Sequence, residues 1–329
     1  MLNRRSFMAA AAGASTLAAT GRSSAAGKLP VVGFLAAAGR KTHVADLQSL
    51  RKGLKQTGLV EGTSVAIEER YAEGERAKID GLIEELAQLG TDVFLVPGPA
   101  AARAVKQHTD KPIVAVALPY SNRHPDLFAA LNKPGGTITG FSLGSEGLSA
   151  KRVQLLREAA PAITTVAVLH NGTDPIYLEW GLETEAAAKA QGLGVVRLEL
   201  NAPDPAEVDK LMRQSASQGA QGLIVIRDFV SATMSEQIAQ AAIAQRIAAL
   251  SEQRDFCEAG GLMSYGANVP DLFRRSAAYI AKIFGGASPA NLPIQIPEKF
   301  DLVVNLKTAE ELGLDIPPDT LVQATEVIE

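Results

Sequence analysis

The chain has 329 residues, 47% of them hydrophobic and 21% charged, with one cysteine and a formal net charge of −4. That balance excludes a disulfide-stapled miniprotein and a disordered chain, and the lack of long basic runs argues against nucleic acid as a partner. Roughly 300 residues bury enough surface to hold a fold without covalent staples.

Residues 1–26 read as an export signal. Asn3 to Met8 gives a basic start with Arg4 and Arg5, Met8 to Ala19 is small and mostly apolar, and Ser24-Ala25-Ala26 offers small residues for cleavage. The run is shorter than the ~20 residues of a membrane-spanning helix. Paired arginines before Ser6-Phe7 resemble a twin-arginine signal. No cysteine stands directly after the apolar run, so the expected product starts at Gly27, is soluble and carries no lipid anchor. Arg4, Arg5 and Arg22 leave with the signal, which holds no acid, so the charge of −4 becomes −7.

From Val31 onward, apolar runs alternate with amphipathic stretches. Strands are predicted at Val31–Leu35, Val65–Ile67, Asp92–Val96 and Ile113–Val116, and their continuous apolar character suits a parallel sheet covered on both faces. Leu47, Leu50 and Leu54 stripe one intervening helix, which Gly58 ends; Ile79, Leu82, Ile83, Leu86 and Leu89 stripe the next, closed by Gly90. Lys133-Pro134-Gly135-Gly136 is a turn, and Thr137 to Gly140 an extended crossing. The pattern then restarts, with strands at Val166–Leu169, Val195–Leu198, Leu223–Ile226 and Ile247–Leu250 and a helix through Val208, Leu211 and Met212. A second crossing is expected at Ala259 to Gly266, followed by a helix through Leu272, Phe273, Ala277, Ile280 and Ile283. A third crossing near Pro293 to Pro297 leads to a strand at Leu302–Val304 and a helix from Thr308 to Leu312.

The fold class expected is therefore α/β, two doubly wound parallel-sheet lobes with a cleft between them and a multi-stranded hinge. Residues 27–140 plus about 267–296 form lobe 1, and 141–266 plus about 297–329 form lobe 2. Glycines at the crossings suit a hinge, with Gly140, Gly261 and Tyr265 as its candidates.

Ligands of open parallel sheets sit beyond the carboxyl ends of the strands, against helix N-termini. This rule selects the loops 36–43, 96–101, 118–124, 170–177, 227–231 and 251–256. Ala38 falls in the first. Gly98 permits a tight turn before Pro99, and Ala100 and Ala101 leave backbone N–H groups open to an anion; an ordinary strand-to-helix turn explains them equally well. Tyr120 and Ser121 are candidates to close over a ligand. Asn171 and Asp174 offer an amide and a carboxylate, although Asp174 before Pro175 is also an apt helix cap. Asp228 with Phe229 pairs a carboxylate with an aromatic face, suited to an ammonium and an apolar group. Arg254 and Asp255 are read as a surface pair.

Catalytic constellations are missing from the sequence. His43, His108, His124 and His170 show no metal-ligand spacing, Cys257 has no nucleophile signature, and there is no G-x-S-x-G elbow, P-loop or G-x-G-x-x-G. No cofactor and no metal are expected.

Several segments carry a family resemblance: Glu61 to Glu68, Arg70, Ala72-Glu73-Gly74, Pro134-Gly135-Gly136, Thr139-Gly140, Lys151-Arg152, Leu155-Leu156, Gly260 to Gly266, Phe300 to Ala309, Leu312-Gly313-Leu314 and Ile316-Pro317-Pro318. Together they resemble the ABC transporter substrate-binding proteins of the tryptophan/phenylalanine-binding type, over nearly the whole mature chain. The resemblance implies a periplasmic binding protein type I-like fold. It also implies a small-molecule ligand, an ABC permease in the inner membrane as partner, residence in the periplasm and no enzymatic activity. The departures fall at the ligand loops. Gly98-Pro99 stands where Gly-Thr or Gly-Ser is usual, Ser121-Asn122 where Asp-Pro is usual, and Asn171 to Pro175 where Asn-Pro-x-Asn-Pro is common. The expected function is capture of a small polar or zwitterionic solute, amino-acid-like or an aromatic acid, by hinge closure. A ligand-sensing module for a membrane receptor and a secreted enzyme on the same fold are the alternatives.

Overall fold

A computed structural model describes residues 28–118, 124–144 and 147–329; the expected signal segment, Tyr120 and Ser121 lie outside them. Strand β1 (Val31–Ala36), helix α1 (Val44–Gln56), β2 (Ala66–Tyr71), α2 (Ile79–Gln88), β3 (Val93–Pro97), α3 (Pro99–His108), β4 (Ile113–Leu118) and β5 (Ile138–Ser142) follow in chain order. They build a five-stranded sheet ordered β2-β1-β3-β4-β5, parallel throughout. The apolar runs of β1, β3 and β4 are buried, as their composition requires. Edge strand β2 extends past its apolar start into Glu68, Glu69 and Arg70, because edge strands tolerate charge. Arg51 of α1 donates to Glu69 at 2.7 Å and to Glu61 at 2.6 Å, tying that edge to the helix.

The second unit continues with α4 (Leu148–Ala159), β6 (Thr165–His170), α5 (Pro175–Ala190), β7 (Gly194–Glu199), α6 (Pro205–Ser217), β8 (Gly222–Val225), α7 (Phe229–Thr233), α8 (Ser235–Ala244), β9 (Ala248–Ser251), α9 (Arg254–Glu258) and β10 (Met263–Ala267). Helix α10 (Val269–Phe284) then returns to the first sheet, packing on α1, β4 and β5. The chain crosses back to form β11 (Phe300–Asn305), α11 (Leu306–Leu312), α12 (Pro318–Gln323) and β12 (Glu326–Ile328). The second sheet is ordered β12-β11-β10-β9-β8-β6-β7, and β11 runs antiparallel to β10 within it.

The crossings differ in detail from the sequence reading. Met263 and Ser264 pair with Leu250 and Ser251 of β9, so residues 263–267 are an interior strand of the second sheet, and the chain leaves that sheet only at Asn268. Gly261 and Tyr265 consequently lie inside the second unit. Gly261 is packed under Phe256, and the carbonyl of Tyr265 accepts a bond from Arg152 Nε at 2.9 Å. Gly140 sits within β5, beside the third crossing: Gln295 N donates to Gly140 O at 2.9 Å, and Ser142 N donates to Gln295 O at 2.8 Å.

Candidate functional site

The carboxyl ends of β1, β3 and β4 face those of β8 and β9 across a cleft, and a cavity of about 590 Å³, counted to its open mouth, lies between them. The first unit contributes Ala37, Ala38, Thr42, His43, Asp46, Pro97, Gly98, Ala100, Ala117 and Leu143. The second contributes Tyr177, Arg227, Asp228, Phe229, Ala232 and Gln253, and Val269 of the returning helix completes the wall.

Each side has its own chemistry. Gly98 precedes α3 with φ +83°, a backbone that glycine adopts without strain, and Pro99 starts the helix. No side chain caps α3, so its first amides point to the cavity end with the positive pole of the helix. Ala117 holds φ +65° in the same wall, where the β4–β5 register shifts between Ala115 and Leu118. A non-glycine residue there costs on the order of 1–3 kcal/mol, the kind of strain that collects at binding sites.

The opposite side is polar. Asp228 opens α7 with a capping box: its Oδ1 accepts from Ser231 N at 2.8 Å, and its N–H donates to Ser231 Oγ at 2.9 Å. Its Oδ2 accepts from Asn171 Nδ2 at 2.6 Å. Burial nevertheless raises the Asp228 pKa, against the lowering effect of those bonds. Arg227 points beside it and donates to Asp255 Oδ2 at 2.6 Å. Tyr177 reaches across toward Gly98, and burial together with nearby Asp174, Asp228 and Glu252 holds its phenol well above its ordinary pKa. It is a neutral hydroxyl, a donor and an acceptor at once. On the first side, His43 Nδ1 lies 2.9 Å from Asp46 Oδ2 while Nε2 is buried without a partner.

Of the sequence candidates, Ala38, Gly98, Ala100, Asp228 and Phe229 line this cavity. Ala101 does not: it is fully buried, one position further round the helix. Asn171 and Asp174 stand behind the wall. Asn171 orients Asp228, and Asp174 caps α5 by accepting from Ile176 N at 3.0 Å. Arg254 and Asp255 do not pair with each other; Arg254 bridges Glu258 and Glu326, and Asp255 takes Arg227, because successive helical residues point apart. Tyr177, Arg227 and Gln253 lie in loops the strand-end rule selected but were not singled out. His43 and Asp46 carried one signal, an i,i+3 spacing. Cys257 is buried, its thiol pushed up to about 12, which keeps it protonated. Among the described residues no three of His, Cys, Asp and Glu are grouped to hold a metal, and no helix is long and apolar enough to cross a membrane.

The two units touch around the cavity. Gly39 N donates to Thr233 Oγ1 at 3.1 Å, His124 Nε2 lies 3.4 Å from Glu179 Oε2, and Arg103 Nη1 lies 3.5 Å from Asp174 Oδ1. Asp174 is buried, and its Oδ2 has no hydrogen-bond partner. Arg103→Ala is expected to destabilise this arrangement by about 1–3 kcal/mol, since it strips a buried carboxylate of its cation. The check is small-angle scattering without ligand, where the radius of gyration should rise; an unchanged radius would show that the pair does not hold the units together.

Two α/β units thus enclose a small cavity on which polar groups converge from both sides. The model of the family described as "ABC transporter substrate binding protein" matches residues 12–328, and the chain belongs to that family. It is a family of binding proteins rather than enzymes, whose members have a small-molecule ligand and a transporter partner. A conserved domain protein from Vibrio cholerae O1 biovar eltor is similar at 24% identity and TM-score 0.83, covering 91% of this chain and 100% of that one. The ABC domain of Streptococcus pneumonia in complex with L-Trp is similar at 23% identity and TM-score 0.82, covering 92% and 100%. The ligand-free, open structure of CD0873 from Clostridium difficile, a substrate-binding protein with adhesive properties, gives 20% identity and TM-score 0.64, covering 91% and 99%. At these identities the structures establish the shared periplasmic binding protein type I-like fold. No curated protein matches the sequence significantly.

Proposed function

We propose that this protein is the extracytoplasmic receptor of an ABC import system and captures a small zwitterionic solute by closure of its two units. The observation that carries the reading is the composition of the cavity. One wall is a strand-to-helix turn with open amides, the other holds Asp228 beside Arg227, and Ala37, Ala38, Leu143 and Phe229 supply apolar surface between them. An anionic group sits at the α3 N-terminus, where helix amides and dipole favour it. A cationic group sits at Asp228, whose carboxylate Asn171 and Ser231 hold in place. The apolar part lies on Phe229. Closure follows from differential affinity: a solute that touches both walls only when they meet shifts the population toward the closed form. The export signal expected from residues 1–26 and the family membership support residence in the periplasm and delivery to an inner-membrane permease.

The test is a thermal-melt screen of the protein from Gly27 onward against amino acids, aromatic acids, nucleobases and short carboxylates. A solute at 100 times its Kd adds about 2.7 kcal/mol of stability. Trp180 is the only tryptophan and meets the Tyr177 ring edge-on, with centroids 5.7 Å apart, so its fluorescence should change with the same saturation curve. A zwitterion recovered unchanged after binding supports the reading. Stabilisation by acids that lack an ammonium, with no response to any zwitterion, would overturn it.

A further inference from the structure

Tyr177 belongs to the first turn of α5 in the second unit, yet its hydroxyl oxygen lies 3.5 Å from the point that a Cβ on Gly98 would occupy. It therefore crosses the cleft to the residue that opens α3. The side chain is only 5% exposed and lines the cavity, and its ring is held edge-on by Trp180. Asp174, Asp228, Glu252 and Arg103 act on the phenol as charges, without a hydrogen bond to it, and among the described residues nothing accepts from its O–H. Buried hydroxyls are almost always satisfied, so one that is rigidly held in the wall of a cavity calls for a partner there.

The opposite wall indicates what that partner is. Helix α3 begins with Pro99, which has no N–H; no side chain caps it, and Ala102 gives its amide to Gly98 O at 3.4 Å. The positive pole of the helix favours an anion but offers it few donors. A carboxylate, with acceptor sites on both oxygens, is left short of donors by α3 alone. Arg227 is the cation of the second wall, and its guanidinium is already given to Asp255. Tyr177 is the neutral donor that stands beside Gly98.

Resting on the cleft reading above, we propose that Tyr177 is the residue by which the second unit recognises the anionic group of the solute, its O–H donating to a carboxylate seated at the α3 N-terminus. Because α3 and Tyr177 belong to different units, this bond exists only when the units meet, so the carboxylate itself favours closure. A solute that carries the ammonium alone binds at Asp228 without drawing on Tyr177.

The experiment takes the amino acid that gives the largest midpoint rise among the twenty standard ones, together with its primary carboxamide. Both are titrated calorimetrically into the protein and into Tyr177→Phe at about pH 6.5, below the range in which an α-amino group loses its proton. The amide keeps the side chain and the ammonium and removes the negative charge. Tyr177→Phe should weaken the amino acid roughly 10- to 100-fold and the amide less than about 3-fold. The ligand-free melting midpoint should stay within about 2 °C, since the ring keeps its contact with Trp180 and no bonded partner is lost. The ratio of the two affinities is read within one protein, so a change in stability does not disturb it. Equal losses for acid and amide would mean that Tyr177 only shapes the cavity, and no loss that it takes no part in binding. Either result overturns the proposal, while binding of the amino acid by the parent leaves the cleft reading standing. No response to any amino acid would overturn the cleft reading, and the role of Tyr177 with it.

Discussion

Alanine at Gly140 should cost the protein about 4–5 kcal/mol, a loss at the extreme of single substitutions. Gly140 lies in β5 with φ +137°, a conformation that side chains rarely adopt, and a Cβ there would stand 1.8 Å from the carbonyl oxygen of Ala115 in β4. That atom belongs to the neighbouring strand's backbone, so nothing flexible can move aside. Either β4 and β5 separate or the backbone at 140 rotates, and both outcomes break the edge on which Gln295 pairs. The melting midpoint should fall by roughly 8–20 °C. A fall of less than about 2 °C would mean that the two strands separate without penalty, and the tight approach would then have no structural importance.

The second large effect is expected at Asp228. Asp228→Ala removes the cap of α7, the acceptor for Asn171 and the carboxylate of the cleft together. Affinity for any zwitterion found in the melt screen should fall at least ~100-fold, near 3 kcal/mol, as when one partner of a buried charge pair is deleted. The pH dependence has a definite sign. Burial raises the Asp228 pKa, so the carboxylate is protonated at a higher pH than in an exposed chain. An ammonium binds the ionised form, and affinity should therefore rise with pH from the ordinary carboxylate range upward and level off above the raised value. In ligand-free protein the same shift acts oppositely. The stability it lends is full below the ordinary carboxylate range and lost as pH rises through the raised value. Calorimetric titration at several pH values checks the first statement. A flat affinity profile, with Asp228→Ala binding as well as the parent, would remove Asp228 from the site.

Much of the architecture is legible in the residues. The buried runs of β1, β3, β4, β6, β8 and β9 have no polar alternation because both faces are covered. What periodicity cannot supply is the strand that is not apolar throughout. β2 runs on through Glu68, Glu69 and Arg70, and β10 is written as Met-Ser-Tyr-Gly-Ala, which reads as a crossing until its pairing with β9 and β11 is seen. The site divides in the same way. Strand-end geometry finds the loops, and within them Ala38, Gly98, Ala100, Asp228 and Phe229. It does not tell which member of a loop faces inward: Ala101 and Asp174 point back into the protein, whereas Tyr177 and Arg227 point into the space. Elsewhere Asp46, the pair Glu252 and Asp255, and Asp301 come from three separate stretches and meet around one cavity only in three dimensions.

The return of α10 to the first sheet, and of β11 and β12 to the second, bears on how the chain is made. Domains on a growing chain commonly fold in order, the N-terminal one first. Here α1 must wait for α10, more than two hundred residues later, and β10 stays an open edge until Phe300–Asn305 has been synthesised. Neither unit can therefore complete itself on the ribosome while the other is still being made. Both close late and together, with contacts of long sequence separation that slow folding. A newly made chain thus spends its early life with unpaired strand edges exposed, and its yield in the cell should depend on how well those edges are shielded until the last thirty residues arrive.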